Sequence, residues 1–143
     1  MTSRLFAVRN QRAGVDGVLL LIRIVCGYAF ILIGWGKIQN PLYWMGNESS
    51  VPGALQALAA ISEFGGGISL ILGLLTRLGA LGIGCTMAGA IIMHRFVMGD
   101  PFVSLTGESS YQLAAAYLLI ALLLVVLGPG RFSLDRRIFG ARP

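Results

Sequence analysis

Five ionisable side chains stand where an apolar chain would ordinarily hold none: Arg23, Lys37, Glu63, His94 and Glu108. Arg23 sits inside the run "LLLIRIVCGYAFILIGWGK", which Lys37 closes, and a charge at that depth costs roughly 2.5–3.5 kcal/mol on insertion scales. Glu63 falls in a second apolar run, and His94, the single histidine, in a third. A carboxylate and an imidazole can exchange protons, a cation can donate to a carbonyl oxygen, and apolar walls can hold a tail. Those are the ingredients of a quinone-headgroup site. The expected proton-handling, catalytic candidates are Glu63 and His94; the expected headgroup contacts are Arg23, Lys37, Glu63 and His94. The competing reading makes Arg23 and Glu63 a structural ion pair that fixes helix register, and His94 an interfacial residue reaching water. One histidine excludes bis-histidine haem ligation, and the scattered carboxylates lack metal-ligand spacing, so no metal site and no covalently bound cofactor are expected.

The elements that must position these groups follow from composition. The chain has 143 residues, of which 56% are hydrophobic and 12% charged, with a mean hydropathy of +0.80. Soluble domains carry about 25% charged residues, so this chain has too few to cover a water-facing surface. It reads as one integral membrane domain over residues 1–143, with the lipid bilayer as its first partner. Four apolar stretches, about 17–36, 53–75, 78–98 and 111–127, each approach the roughly 20 residues that a helix needs to cross the hydrocarbon core. Asn40-Pro41, Val51-Pro52-Gly53, Asp100-Pro101 and Gly128-Pro129-Gly130 punctuate them. Thr76-Arg77 is the expected turn between the second and third. The fold class is therefore an all-α, four-transmembrane-helix bundle. Arg23 interrupts the first run and no A-x-A site follows it, which argues against a signal peptide.

Basic residues set the expected orientation. Arg4, Arg9 and Arg12 precede the first helix, Arg77 lies at the tight turn, and Arg131, Arg136, Arg137 and Arg142 follow the fourth. Both termini are thus expected in the cytoplasm. With no basic run and arginines only at segment ends, the net charge of +5 reads as topology, and no nucleic-acid partner is expected. At 100° per residue, Arg23, Gly27, Phe30, Gly34 and Lys37 share one face of the first helix. Gln56, Glu63 and Leu70, beside Gly66, Gly67 and Gly73, share one face of the second. These stripes of small residues should face a neighbouring helix. Depth counting puts Arg23 and Glu63 within reach of each other, and gathers Lys37, His94, Glu108 and Gln112 under the outer loops. Cys26 and Cys85 read as small buried hydrophobes. Trp35, Tyr43 and Trp44 read as an interfacial aromatic belt.

Four segments in order resemble the DoxX family of small four-helix membrane proteins: "RIVCGYAFILIGWGK" at 23–37, "ISEFGGGISLILGLLTR" at 61–77, "AGAIIMHRF" at 88–96 and "GPGRFSLD" at 128–135. The resemblance covers residues 23–135 and implies a four-helix bundle. For the family's founding members it implies a membrane subunit of a quinone-linked oxidoreductase that oxidises thiosulfate; for other relatives, accessory subunits or maturation factors for redox enzymes. Arg23, Lys37, Glu63, Arg77, His94 and Arg131 match the family's polar pattern by position. The loop "NPLYWMGNESSVPG" lies outside the resemblance. Three functions follow as expectations. The first is a subunit of a quinone-linked redox complex with a cofactor-bearing partner. The second is a non-catalytic accessory or assembly subunit that docks other membrane-complex subunits. The third is a small-molecule carrier, disfavoured by the lack of an inverted repeat.

Overall fold

The computed structural model describes Val8 and residues 12–140; Arg4, Arg9 and Arg142 lie outside the described residues. Helix α1 spans Ala13–Ile38, α2 Gly53–Leu72, α3 Thr76–Ile92 with a π-helical continuation Met93–Met98, α4 Gln112–Leu127, and a short α5 Leu134–Phe139. No β-strand occurs among the described residues. α1, α2 and the Thr76–Met98 segment are long and apolar enough to cross a membrane. α4, with 16 residues, is apolar but shorter, about 24 Å at 1.5 Å per residue.

The buried face of α1 is Asp16, Leu19, Arg23, Cys26, Gly27, Phe30 and Gly34. That of α2 is Gln56, Ala60, Glu63, Gly66, Gly67 and Leu70. These faces meet closely because glycine lets backbones touch. A Cβ on Gly27 would lie 2.7 Å from the Gly67 carbonyl oxygen, and one on Gly34 would lie 2.5 Å from the Phe64 nitrogen. α3 lays Gly79 against Ser69 and Gly82 against Ser62, and turns Gly84 toward Ala121 of α4. Leu19, Phe30, Leu70, Ile83, Ala121 and Leu124 sit in the shared core. An edge-to-face contact of Phe30 with Tyr117, centroids 4.9 Å apart, ties α1 to α4.

The turn between α2 and α3 is Gly73-Leu74-Leu75, three residues earlier than the expected Thr76-Arg77. Gly73 takes the left-handed conformation (φ 67°); Leu74 N–H donates to Ser69 O and Gly73 N–H to Leu70 O, a Schellman closure that stops α2 there. Thr76 and Arg77 open α3 instead. Hydropathy cannot see this boundary, since Leu74 and Leu75 are as apolar as the helix they end.

Chain start and chain end meet at one end of the bundle. Asp16 Oδ1 accepts from Arg131 N–H (2.8 Å), and Val8 N–H donates to Gly140 O (3.1 Å). The opposite end carries Lys37, the 39–52 loop, the π-helical turn and the 99–111 loop.

Candidate functional site: the groove between α2 and α3

Arg23 and Glu63 do not pair. The expected Arg23–Glu63 contact is replaced by two separate arrangements. Gly34 of α1 packs at Phe64 of α2, and Arg23 lies eleven residues further down α1, about 16 Å away along the axis. The sequence count failed because it set the two helix ends level, whereas the glycine contacts place Arg23 beside the end of α2 and let α1 run on past it.

Arg23, only 1% exposed, spends its guanidinium on backbone. Nε donates to Leu70 O (2.8 Å), Nη2 to Ile71 O (3.2 Å), and Nη1 to both Pro129 O and Phe132 O (2.8 Å each). Leu70 and Ile71 end α2, where carbonyls lack intrahelical partners and the helix dipole favours a cation. Asp135 supplies the opposing charge nearby. Its own carboxylate accepts from Leu75 N–H (2.6 Å) and Thr76 N–H (2.9 Å), capping the start of α3, while its N–H donates to Gly73 O (2.8 Å). Ser133 caps α5 by accepting from Arg136 N–H (3.3 Å) and donates to Gly130 O (2.8 Å). The segment "GPGRFSLD" is thus a plug that closes this end of the bundle around Arg23.

Glu63, 2% exposed, pairs with Lys37. Lys37 Nζ donates to Oε1 (2.8 Å) and lies 2.6 Å from Oε2, so both carboxylate oxygens face the ammonium. The ammonium also sits 4.3 Å from the centroid of Trp44. Trp44 in turn donates from Nε1 to Gln56 O (2.9 Å), and the Gln56 side chain holds the loop by accepting from Met45 N–H (3.0 Å) and donating to Val51 O (2.9 Å). Trp44, expected in an aromatic belt, is a wall of the ion pair. Its place twelve residues before Gln56 gave no periodic signal, because a loop has no fixed period.

His94 is the second residue of the π-helical turn. Its Nδ1 lies 2.6 Å from Asp100 Oδ2, and its carbonyl accepts from Asp100 N–H (2.8 Å). Hydrogen bonds from His94 and then Ser109 hold the Asp100 carboxyl below the usual carboxylate range. Asp100 went unsingled in the sequence, since a wide turn that returns a residue six positions back to the His94 carbonyl is not legible there. The expected gathering of Glu108 and Gln112 with Lys37 and His94 does not form: Glu108 is exposed and accepts from Thr106 (3.2 Å), Gln112 is exposed, and neither lines the cavity described next. Cys26 is buried as expected, but Cys85 is exposed.

Lys37, Glu63 and His94 all line one cavity of about 1220 Å³ that runs along the groove between α2 and α3. Its walls are apolar over most of their length, with Leu55, Leu58, Ile68, Leu72, Leu78 and Leu81 among them, and Trp44 and Met45 at one end. Arg23 does not line it. Among the described residues no cluster of three or more His, Cys, Asp or Glu could hold a metal ion.

Comparison with known proteins agrees with this architecture. The DoxX family model matches residues 18–95, the span that contains Arg23, Lys37, Glu63 and His94. The chain belongs to the DoxX family. Similar curated proteins include the inner membrane protein YqjF of Escherichia coli, 36% identical over 85% of this chain and 92% of that protein. Another is an uncharacterized protein of Haemophilus influenzae, 34% identical over 85% of this chain and 90% of that one. An uncharacterized membrane protein of Mycobacterium tuberculosis is 31% identical over 84% of this chain and 80% of its own length. No solved structure matches. With its three long apolar helices, this DoxX protein is a multi-pass cell-membrane protein.

Proposed function

We propose that this DoxX protein is the membrane subunit of a quinone-linked redox complex, and that the groove between α2 and α3 takes the quinone. The observation that carries the reading is that a buried carboxylate (Glu63) and an imidazole (His94) line the same apolar cavity. A cavity of about 1220 Å³ is ample for a headgroup and part of an isoprenoid tail, since ordinary ligand sites run to roughly 1,000 Å³. The quinone would supply the two-electron chemistry; the chain supplies an apolar slot, a titratable carboxylate and a histidine steered by Asp100. Arg23 stands outside this site, and its four carbonyl bonds support a structural role for it. In this reading the electrons come from a cofactor-bearing partner. Both basic ends face the cytoplasm in this reading, which the meeting of chain start and chain end at one end of the bundle supports.

The test is extraction of the tagged chain from its native membrane in mild detergent, with mass spectrometry of co-purifying proteins and quinones. Retained quinone with a redox partner, both reduced in amount by Glu63→Gln with the bundle intact, is the expected result. A chain that emerges with a stoichiometric partner but no quinone, whatever residue stands at 63, sinks the reading in favour of an accessory subunit.

A further inference from the structure

Three methionines and the chain's single histidine line the groove at its end beside the 39–52 loop: Met45, Met93, His94 and Met98. Three of the four come from one π-helical turn. A π-helix closes its rings from residue i to i+5, so Met93 and Met98 stand one turn apart, with His94 on the adjoining face. Met45 comes from across the groove. Gly82 of α3 packs at Ser62 of α2, so Met93 and His94, eleven and twelve residues further along, run level with the residues that open α2. The Gln56 side chain holds Met45 near that level, accepting from Met45 N–H (3.0 Å) and donating to Val51 O (2.9 Å). The Met45 sulfur takes one long contact from Ser49 Oγ (3.9 Å), which leaves it a free lone pair. This end of the groove lies roughly 16–18 Å along α3 from the level of Ser62 and Glu63.

The donors gathered here are soft and neutral. Thioether sulfur is polarizable and uncharged. His94 presents Nε2, because Nδ1 meets Asp100 Oδ2 at 2.6 Å and a carboxylate can only accept. An imidazole that donates one ring N–H to a carboxylate is oriented, and made more basic, for metal ligation through its other nitrogen. The Asp100 carboxylate is itself engaged by His94 and Ser109 and offsets a single positive charge nearby. Hard ions find no oxygen cage: among the described residues no three His, Cys, Asp or Glu converge. We infer that Met93, His94 and Met98, with Met45 as a fourth donor from the facing loop, bind a soft monovalent cation, copper(I) or silver(I), at this end of the groove. Thioethers select copper(I) over the harder divalent ions. Neutral ligands in an apolar groove also tolerate one positive charge better than two. The site is independent of the quinone reading, since a headgroup beside Glu63 and an ion at Met93 occupy different stretches of the groove.

The experiment is anaerobic titration of copper(I), kept reduced with ascorbate, into the purified full chain in lipid nanodiscs, in competition with the chelator bicinchoninate. Silver(I) is titrated in parallel and followed by NMR of the methionine methyl groups. The expected result is a single bound copper(I), with zinc(II) binding far more weakly. Silver(I) should shift the methyls of Met93 and Met98 and leave that of Met87, buried in the core, in place. Met93→Leu with Met98→Leu conserves volume and should weaken copper(I) at least about tenfold. Asp100→Asn, acting only through the orientation of His94, should weaken it about 10–100-fold, and Asp100→Glu should restore most of the loss. Cys85→Ser removes the exposed thiol that also lines the groove and should leave the affinity unchanged. The site is overturned by the absence of bound copper(I), by zinc(II) binding as tightly, or by silver(I) shifting neither methyl. It is equally overturned if binding disappears with Cys85→Ser yet survives replacement of Met93 and Met98. None of these results touches the quinone reading, which stands or falls on Glu63→Gln.

Discussion

Arg23→Met keeps the unbranched stem of the side chain but removes every donor from the plug that closes one end of the bundle. Four hydrogen bonds are lost, to Leu70, Ile71, Pro129 and Phe132, and Asp135 loses its nearby counter-charge. Side-chain hydrogen bonds inside membrane proteins contribute about 0.6 and up to about 1.7 kcal/mol each, so the four together amount to about 2–7 kcal/mol. Against a total stability of about 5–15 kcal/mol this is a severe loss. The assay is reversible unfolding in mixed detergent–SDS micelles followed by far-UV circular dichroism. The same assay reports a double-mutant cycle with Glu63→Gln. Because the two residues lie about 16 Å apart along the α1 axis, the cycle should close to within about 0.5 kcal/mol. A cost below about 0.5 kcal/mol for Arg23→Met, or a coupling with Glu63 above about 1 kcal/mol, would refute the assignment of Arg23 to the plug.

Other outcomes follow from the same geometry. Glu63→Gln and Lys37→Met should each destabilise the chain by about 1–3 kcal/mol, the partly exposed lysine tempering the usual cost of an orphaned charge; in the same unfolding assay the double variant should cost clearly less than the two singles together. Gly34→Ala places a methyl 2.5 Å from the Phe64 nitrogen and should cost about 1–3 kcal/mol, whereas Gly36→Ala, with nothing within 4 Å, should be neutral or slightly stabilising. Asp135→Asn weakens the cap on α3 and should lower stability by about 1–2 kcal/mol, with amide exchange rising first at Leu75 and Thr76. The Asp100 carboxyl is lower in the folded chain than its unfolded value of about 3.9, so its contribution is complete above about pH 4 and fades as pH falls through the lowered value. Amide exchange across Met93–Met98 should therefore rise on acidification below about pH 4, and Asp100→Asn should remove that acid step.

The reading of Arg23 shows where sequence stops. A buried guanidinium in an apolar helix demands satisfaction, and the spacing of Gly27 and Gly34 on its face announces a close helix neighbour. Which acceptors satisfy it could not be counted, because a one-turn error in the α2 register changes the partner. The count took the two helix ends as level, whereas α1 runs on past the end of α2 to Ala13, which leaves Arg23 beside the last carbonyls of α2. Glu63 was legible as a buried carboxylate, but its partner is a lysine fourteen residues beyond Arg23 on the same helix face. His94 stood out as the single histidine, whereas Asp100 acquired its role only from the π-helical turn that carries it back.

By itself the sequence determined the solvent in which this protein folds, the number of apolar helices, the stripes they bury and the family to which it belongs. Each of these depends on local composition and on a period of 3.6 residues, which the chain carries in one dimension. The tertiary structure alone decided the pairings: Arg23 with four carbonyls, Lys37 with Glu63 under Trp44, and His94 with Asp100. It also decided that Glu63 and His94 line one groove. Pairing depends on register and on loop paths, and these are set by backbone contacts at Gly27, Gly34 and Gly67 and by turns whose residues differ little in hydropathy from the helices they end.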